Sequence, residues 1–137
     1  MPMKTRFRQV ARVAVISTGH IIHSDPVQVT SNNNGEVTMK SVTLSAAQLR
    51  TKFFLVRRVV VSANLNGGTS AEPALLYVDG ASVASRNTAN AAYDYSWAVD
   101  LNPASAHTIS IAMNSDGSAN MTAKDFTVTA SIVEWYG

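Results

Sequence analysis

The sequence contains no cysteine among its 137 residues. This absence excludes a disulfide framework, a zinc site with thiolate ligands and catalysis by a thiol nucleophile. Charged residues are also scarce, at 15% of the chain, where an average soluble domain has about a quarter. A small domain with so few charges often buries part of its surface against partners.

Long apolar runs are missing as well. No stretch approaches the roughly eighteen apolar residues that a membrane-spanning helix needs. Val13 to Ile16 is too short for the apolar centre of a signal peptide, and Arg12 interrupts the approach to it. We therefore expect a protein that has no membrane contact and that is made and used without export.

Positive charge is concentrated at the N-terminus. The first twelve residues contain no acid and four cations, Lys4, Arg6, Arg8 and Arg12. The remaining chain has seven basic residues (11 − 4) and nine acidic ones, a net charge of −2. We interpret 1–12 as a basic arm and 13–137 as a single folded domain. The arm either contacts nucleic acid or an acidic patch on a neighbouring subunit, or remains a solvated terminus, and Phe7 favours docking onto protein.

Strict alternation between apolar and polar residues marks the stretch from Tyr93 to Leu101. Its odd-numbered positions are Tyr93, Tyr95, Trp97, Val99 and Leu101. A period of two places these side chains on one face of a β-strand. The stripe favours a core or subunit interface, although a lectin could use such aromatic rings to stack sugars. Similar runs at 107–113 and 125–135 predict two further strands.

Other stretches predict turns, bulges and one helix. Asn34-Gly35 indicates a hairpin leading into a strand over 36–44, with a bulge near Ser41. Residues 45–52 predict a short helix with Ser45 as its cap. In the strand over 53–65, Phe53, Leu55 and Val59 share the inward parity. Arg57 and Arg58 conflict with it, so we expect a bulge or a partner contact there.

About eight strands with this spacing predict an all-β, single-domain antiparallel β-sandwich, most simply a jelly roll. An immunoglobulin-like sandwich is the alternative, although its cysteine pair is missing. The stretches LLYVDGASVAS, YDYSWAVDL and HTISIAMNSDGSANMTAKDFTVTASIVEW resemble the distal half of jelly-roll structural proteins of tailed-phage virions. That group includes capsid decoration or cement proteins and fibre-tip domains. The resemblance implies a symmetric oligomer on a particle surface, often a trimer, in a virion assembled in the host cytoplasm.

The polar residues do not form a pattern that requires a particular chemistry. His20 and His23 are the best candidate metal ligands, but they are three residues apart. On a strand this spacing turns their rings to opposite faces, which is wrong for binding one metal ion. Asp94 and Asp100 lie roughly 20 Å apart at strand rise, whereas a glycosidase pair needs about 5 to 10 Å. The loop 114–120 has oxygen ligands but lacks the terminal glutamate of a calcium loop. We therefore predict no catalytic residue, no metal and no cofactor, and a protein that is not an enzyme.

Three functions follow as alternatives. The favoured one is an oligomeric capsid decoration or cement protein, whose partners are its own copies and a major capsid protein or other virion protein. A carbohydrate-binding fibre-tip domain is the second, and a small coat protein that contacts nucleic acid is the third, less favoured because four charges give a weak electrostatic attraction. The predicted partner or oligomer contacts are Lys4, Arg6, Phe7, Arg8, Arg12, Arg57, Arg58, Trp135 and Tyr136.

Overall fold

The computed structural model describes residues 15–16, 19–70, 73–115, 117 and 120–135. Within these residues the chain forms ten strands and one short helix. The strands are β1 (Val15–Ile16), β2 (Ile21–Asp25), β3 (Val29–Ser31), β4 (Gly35–Leu44), β5 (Phe54–Asn66), β6 (Ala74–Val78), β7 (Ala81–Arg86), β8 (Tyr93–Asp100), β9 (His107–Ser115) and β10 (Met121–Trp135). The helix α1 spans Ala46–Leu49, and Gly68–Ser70 forms a 3-10 turn.

Two antiparallel sheets pack face to face. In the first sheet β10 lies beside β5 and β5 beside β8, while β1, β2 and β3 follow one another along the other edge of β10. The second sheet has the order β4-β9-β6-β7. The last three strands therefore alternate between the sheets, as the chain crosses from β8 to β9 and back to β10. This β-sandwich of the jelly-roll type confirms the predicted fold class.

The core lies between the two sheets, and β8 contributes to it through the alternation seen in the sequence. Tyr95, Trp97 and Val99 are buried, as predicted. Tyr93 has the same parity but is 56% exposed, because it begins the strand at the end of the sandwich. The side chain of Asp94, on the opposite face, accepts a hydrogen bond of 2.9 Å from the Asn64 amide.

The predicted parity of β5 is correct only after Arg58. The structure buries Val59, Val61 and the following odd-numbered residues, but before them it buries Val56 and leaves Phe53 60% exposed. A bulge at Arg57 is the cause, since Val56 pairs with Val133 and Arg58 with Ile132. The extra residue reverses which side chains face inward. The expected bulge at Arg57-Arg58 is confirmed, and the inward position of Phe53 is wrong.

The predicted hairpin at Asn34-Gly35 is also wrong. Gly35 has the expected positive φ of 101°, but β3 pairs with β10 in the first sheet and β4 pairs with β9 in the second. The turn therefore carries the chain across the sandwich. The bulge in β4 lies at Met39, two residues before the predicted position, because Thr38 pairs with Ala112 and Lys40 with Ile111.

Helix α1 confirms the short helix and its cap. The Ser45 hydroxyl accepts the Gln48 amide at 3.2 Å, and the Gln48 side chain accepts the Ser45 amide at 2.8 Å, which together form a capping box. Leu49 is fully buried and anchors this single turn to the core. No helix in the described part of the chain has the length and apolar character to cross a membrane.

A buried lysine joins the two sheets at the edge formed by β2 and β4. The Lys40 side chain is 3% exposed, and its ammonium donates to Asp25 Oδ2 at 3.0 Å and to the Val27 carbonyl. The hydrogen bond from Lys40, followed by one from the Val27 amide, lowers the pKa of Asp25. The bulge at Met39 turns Lys40 inward, so the ion pair between the two sheets depends on this bulge in β4.

Candidate interaction site at one end of the sandwich

An apolar groove lies at the end of the sandwich where β5 begins and β10 ends. Its volume is about 260 Å³. Among the described residues, the lining side chains are His20, Phe54, Val56, Ala130, Val133 and Trp135. Five of these six residues are apolar, so the groove favours an apolar occupant.

The pairing of β5 with β10 builds the groove. Phe54 pairs with Trp135 and Val56 with Val133, which aligns four apolar side chains across two neighbouring strands. The Phe54 and Trp135 rings are tilted by 49° with centroids 5.2 Å apart, a geometry typical of favourable aromatic contacts. Trp135 is nevertheless 38% exposed. The predicted partner residue Trp135 therefore forms one wall of the groove and keeps part of its ring accessible.

Two arginines lie at the bulge and point to the outward face of the sheet. Arg57 Nε is 3.0 Å from Glu134 Oε1, and Arg58 Nε is 2.6 Å from Asp100 Oδ1. The hydrogen bond between Arg58 and Asp100 raises the pKa of the arginine and lowers that of the aspartate. Each arginine already has an acidic partner in its own chain. Their assignment as contacts to other molecules remains a prediction.

Strand β1 pairs with β10 at the same end of the sandwich. In the antiparallel pairing of β1 with β10, Val15 lies opposite Glu134 and Ile16 opposite Val133. Strand β1 therefore starts at the end of the sandwich where β10 finishes. The predicted arm contacts Lys4, Arg6, Phe7, Arg8 and Arg12 lie outside the described residues, as does Tyr136.

Sequence reasoning missed most of the groove. Phe53, which is 60% exposed and directly precedes β5, adds large apolar surface at this end. Phe54 was on the outward parity in the sequence and faces the groove because of the bulge at Arg57. His20, a candidate metal ligand in the sequence, lines the groove instead. The conflict at Arg57-Arg58 was the one signal that could have indicated this arrangement.

A second notable surface is the outward face of the four-stranded sheet. The Tyr77 hydroxyl on β6 donates to Glu36 Oε2 on β4 at 2.8 Å, which raises the pKa of the phenol. Strand β9 lies between these two strands, so the Tyr77 side chain crosses it. This crossing accounts for the complete burial of Ala112, which faces outward on β9. The tyrosine thus forms a flat aromatic element on an otherwise polar sheet.

Hydroxyl groups continue this face toward the ends of β4 and β9. Ser41 Oγ and Ser110 Oγ are 3.0 Å apart, and Thr43 Oγ1 and Thr108 Oγ1 are 2.9 Å apart. These are cross-strand pairs of the kind that stabilise a sheet. The face therefore presents a row of hydroxyls next to the aromatic ring.

His107 and Asp79 form a polar cluster where the turn after β6 meets the start of β9. His107 Nδ1 lies 2.6 Å from Asp79 Oδ2, and Nε2 lies 2.7 Å from the Asn102 carbonyl oxygen. Both partners are acceptors, so the arrangement favours the doubly protonated ring. Burial lowers the pKa of His107, but these hydrogen bonds outweigh it and leave the pKa above 6.5, while His107 lowers the pKa of Asp79.

The remaining histidine contributes to packing. His23 lies on β2 with its ring 5.5 Å from that of Phe126 in an edge-to-face arrangement. Its Nε2 atom is buried and has no hydrogen-bond partner among the described residues. No group of three or more potential metal ligands occurs within the described part of the chain.

Comparisons with known proteins identify the fold but not a family. No protein-family model matches the sequence, and no curated protein matches it. Among solved structures, the CBM22-1 xylan-binding domain from Paenibacillus barcinonensis is similar, with a TM-score of 0.51 and 9% identity over 84% of this chain and 97% of that one. At this identity the likeness shows a shared β-sandwich fold alone.

Two other solved structures have lower scores. A family 35 carbohydrate-binding module from an environmental isolate has a TM-score of 0.47 and 13% identity, covering 90% of this chain and 93% of that one. A structure of infectious bursal disease virus has a TM-score of 0.41 and 17% identity, covering 92% of this chain and 32% of that one.

Proposed function

We propose that this chain is a non-enzymatic structural protein of a virion, of the capsid decoration or cement type, which binds a particle surface as an oligomer. The observation that carries the proposal is the accumulation of accessible apolar surface at one end of the sandwich. There the groove and the exposed Phe53 lie at the end of the sandwich where β1 pairs with the end of β10. This end combines apolar anchors with a charged segment, as protein-binding surfaces do.

The aromatic residues make this end an energetically strong contact. Trp, Tyr and Arg dominate the binding energy of interfaces, particularly where they fill pockets from which water is excluded. Trp135 retains an exposed part of its ring, and Arg57 on the neighbouring strand pairs with Glu134, the residue before it. Covering Trp135 and Phe53 would remove large apolar side chains from water, at roughly 25 cal/mol for each Å² of buried apolar area.

Light scattering coupled to size exclusion tests the oligomer. We expect a stable oligomer, most simply a trimer, over a concentration series of the full chain. Trp135→Ala should shift the population toward monomer, whereas Val83→Ala should not, because Val83 is comparably exposed but lies on β7 of the other sheet. A chain that is monomeric at every concentration would contradict the proposal.

Labelling of particles tests the virion assignment. An antibody against the chain should decorate the surface of purified virus particles from the source of the sequence, as seen by electron microscopy. Labelling of infected-cell lysate without labelling of particles would exclude a decoration or cement role.

Binding of a polysaccharide is the second candidate, favoured by the flat Tyr77 side chain among hydroxyl groups. Aromatic rings stack on the apolar faces of sugars, and neighbouring hydroxyls and carboxylates can bind their polar edges. The chain shares its fold with a xylan-binding domain, so xylan is the first polysaccharide to test. Retardation in a xylan gel that is lost in Tyr77→Ala and retained in Tyr93→Ala would favour this function. Equal mobility with and without xylan would argue against it for this ligand.

A further inference from the structure

We propose that the groove receives Phe7 from the basic arm of a second copy of this chain. The inference rests on the proposed oligomer and names the contact that holds it together. Each copy contributes a groove between β5 and β10 and an arm that enters the groove of its neighbour. The groove is part of the described structure, whereas the arm lies outside the described residues.

The direction of β1 favours a neighbour over the same chain as the source of the arm. Because β1 runs antiparallel to β10, the chain enters β1 at Val15 from the side on which β10 ends. Ala130 and Val133, which line the groove, lie on the other side of that point. To fill its own groove, the arm would have to turn back between Phe7 and Val15. An arm from a copy that faces this end reaches the groove without reversing.

The size of the groove fits an aromatic side chain. A cavity of about 150 Å³ with an apolar lining accommodates benzene, and this groove has about 260 Å³ with five apolar residues among its six. Phe7 is the one aromatic residue among 1–14. Phe7 precedes Val15 by eight positions, and an extended chain covers at most about 3.3 to 3.6 Å per residue. The arm can therefore span roughly 26 to 29 Å beyond its own sheet.

The charges favour the same arrangement. The arm carries four positive charges, whereas 13–137 has a net charge of −2. Glu134 and Asp100, the acids at this end, are already paired with Arg57 and Arg58 of their own chain. The attraction is therefore between the arm and the whole negative body of a neighbour, and it acts over the Debye length of about 10 Å at 0.1 M salt. Phe7 supplies the specific contact.

Single cysteines test the exchange directly, because the wild-type chain has none. One variant carries Gln9→Cys, two residues from Phe7, and the other carries His20→Cys in the groove lining together with a mass tag. Mixing the two under mild oxidation should give a covalent dimer of mixed mass. Adding Phe7→Ala to the Gln9→Cys variant should reduce the yield of the mixed dimer at least about tenfold, which corresponds to about 1.4 kcal/mol. Val83→Cys in place of His20→Cys serves as the exposed control.

The outcomes separate this inference from the proposed function. A mixed dimer whose yield depends on Phe7 supports the exchange. A doubly substituted chain with Gln9→Cys and His20→Cys that forms only an internal disulfide would show that the arm fills its own groove, which contradicts it. An oligomer by light scattering without any crosslink would overturn the exchange and leave the proposed function standing. A monomer without a crosslink would overturn both.

Discussion

Replacement of Trp97 tests the position of the buried face of β8. The side chain is 7% exposed, and a buried tryptophan removes about 150 to 250 Å² from water. At about 25 cal/mol per Å² this corresponds to roughly 4 to 6 kcal/mol, an upper bound because the unfolded chain already buries part of that area. Trp97→Ala should therefore lower the free energy of unfolding by about 3 to 5 kcal/mol.

The indole nitrogen makes a second substitution informative. Trp97 Nε1 is buried without a hydrogen-bond partner among the described residues, and such an unpaired group costs about 1 to 3 kcal/mol. Trp97→Phe removes this penalty together with part of the ring. We therefore expect Trp97→Phe to change the free energy of unfolding by about 1 kcal/mol or less.

Urea unfolding followed by far-UV circular dichroism measures both effects, provided that the slope of the free energy of unfolding against urea concentration is the same for all variants. Tyr93→Ala is the matched control, because Tyr93 has the same parity on β8 but is largely exposed. A loss below about 1 kcal/mol for Trp97→Ala, with the fold intact, would show that the face is misplaced. An equal loss for Trp97→Phe and Trp97→Ala would show that the indole N–H has a partner.

Three further predictions concern polar contacts. The stabilisation from His107 should be complete below its unfolded pKa of about 6.5 and should be lost as the pH rises through its raised folded pKa. The contribution of Asp79 should be lost as the pH falls below about 4. Urea midpoints measured from pH 3 to 9 should show both losses, and His107→Phe should flatten the alkaline part of this pH dependence. Asp25→Ala should lower the urea midpoint, because it leaves the buried Lys40 ammonium without its carboxylate. Lys40→Met should keep a midpoint near that of the wild type. If the double variant, Asp25→Ala with Lys40→Met, had the midpoint of Asp25→Ala instead of that of Lys40→Met, this explanation would be contradicted. Ser45→Ala should cost about 1 kcal/mol in the same assay and Ser45→Gly only a few tenths, so that equal losses would exclude the capping hydroxyl as the cause.

The fold class was predictable because it depends on local patterns. Alternation in β8 indicated its buried face, and Ser45 with Gln48 indicated the single helical turn. The partners of the strands were not predictable in the same way. Asn34-Gly35 is a strong local hairpin signal, yet β3 pairs with β10, because the 15-residue β10 offers an edge along which β1, β2 and β3 line up in turn. Such long-range pairing has no local pattern.

The candidate site was hidden by the bulge that builds it. Without the extra residue at Arg57, a period of two would place Phe53 and Leu55 inward and Phe54 and Val56 outward, as the sequence analysis assumed. The bulge reverses this order, so that Phe54 and Val56 face Trp135 and Val133 across the groove. It also directs Arg57 to Glu134 on the outer side, which pairs a charge that would otherwise point toward the core. The bulge at Arg57 on β5 and a second one at Ser131 on β10, where Ala130 pairs with Val59 and Ile132 with Arg58, together turn these side chains toward the groove. An inconsistency of parity within a long strand is therefore a reason to look for a site there.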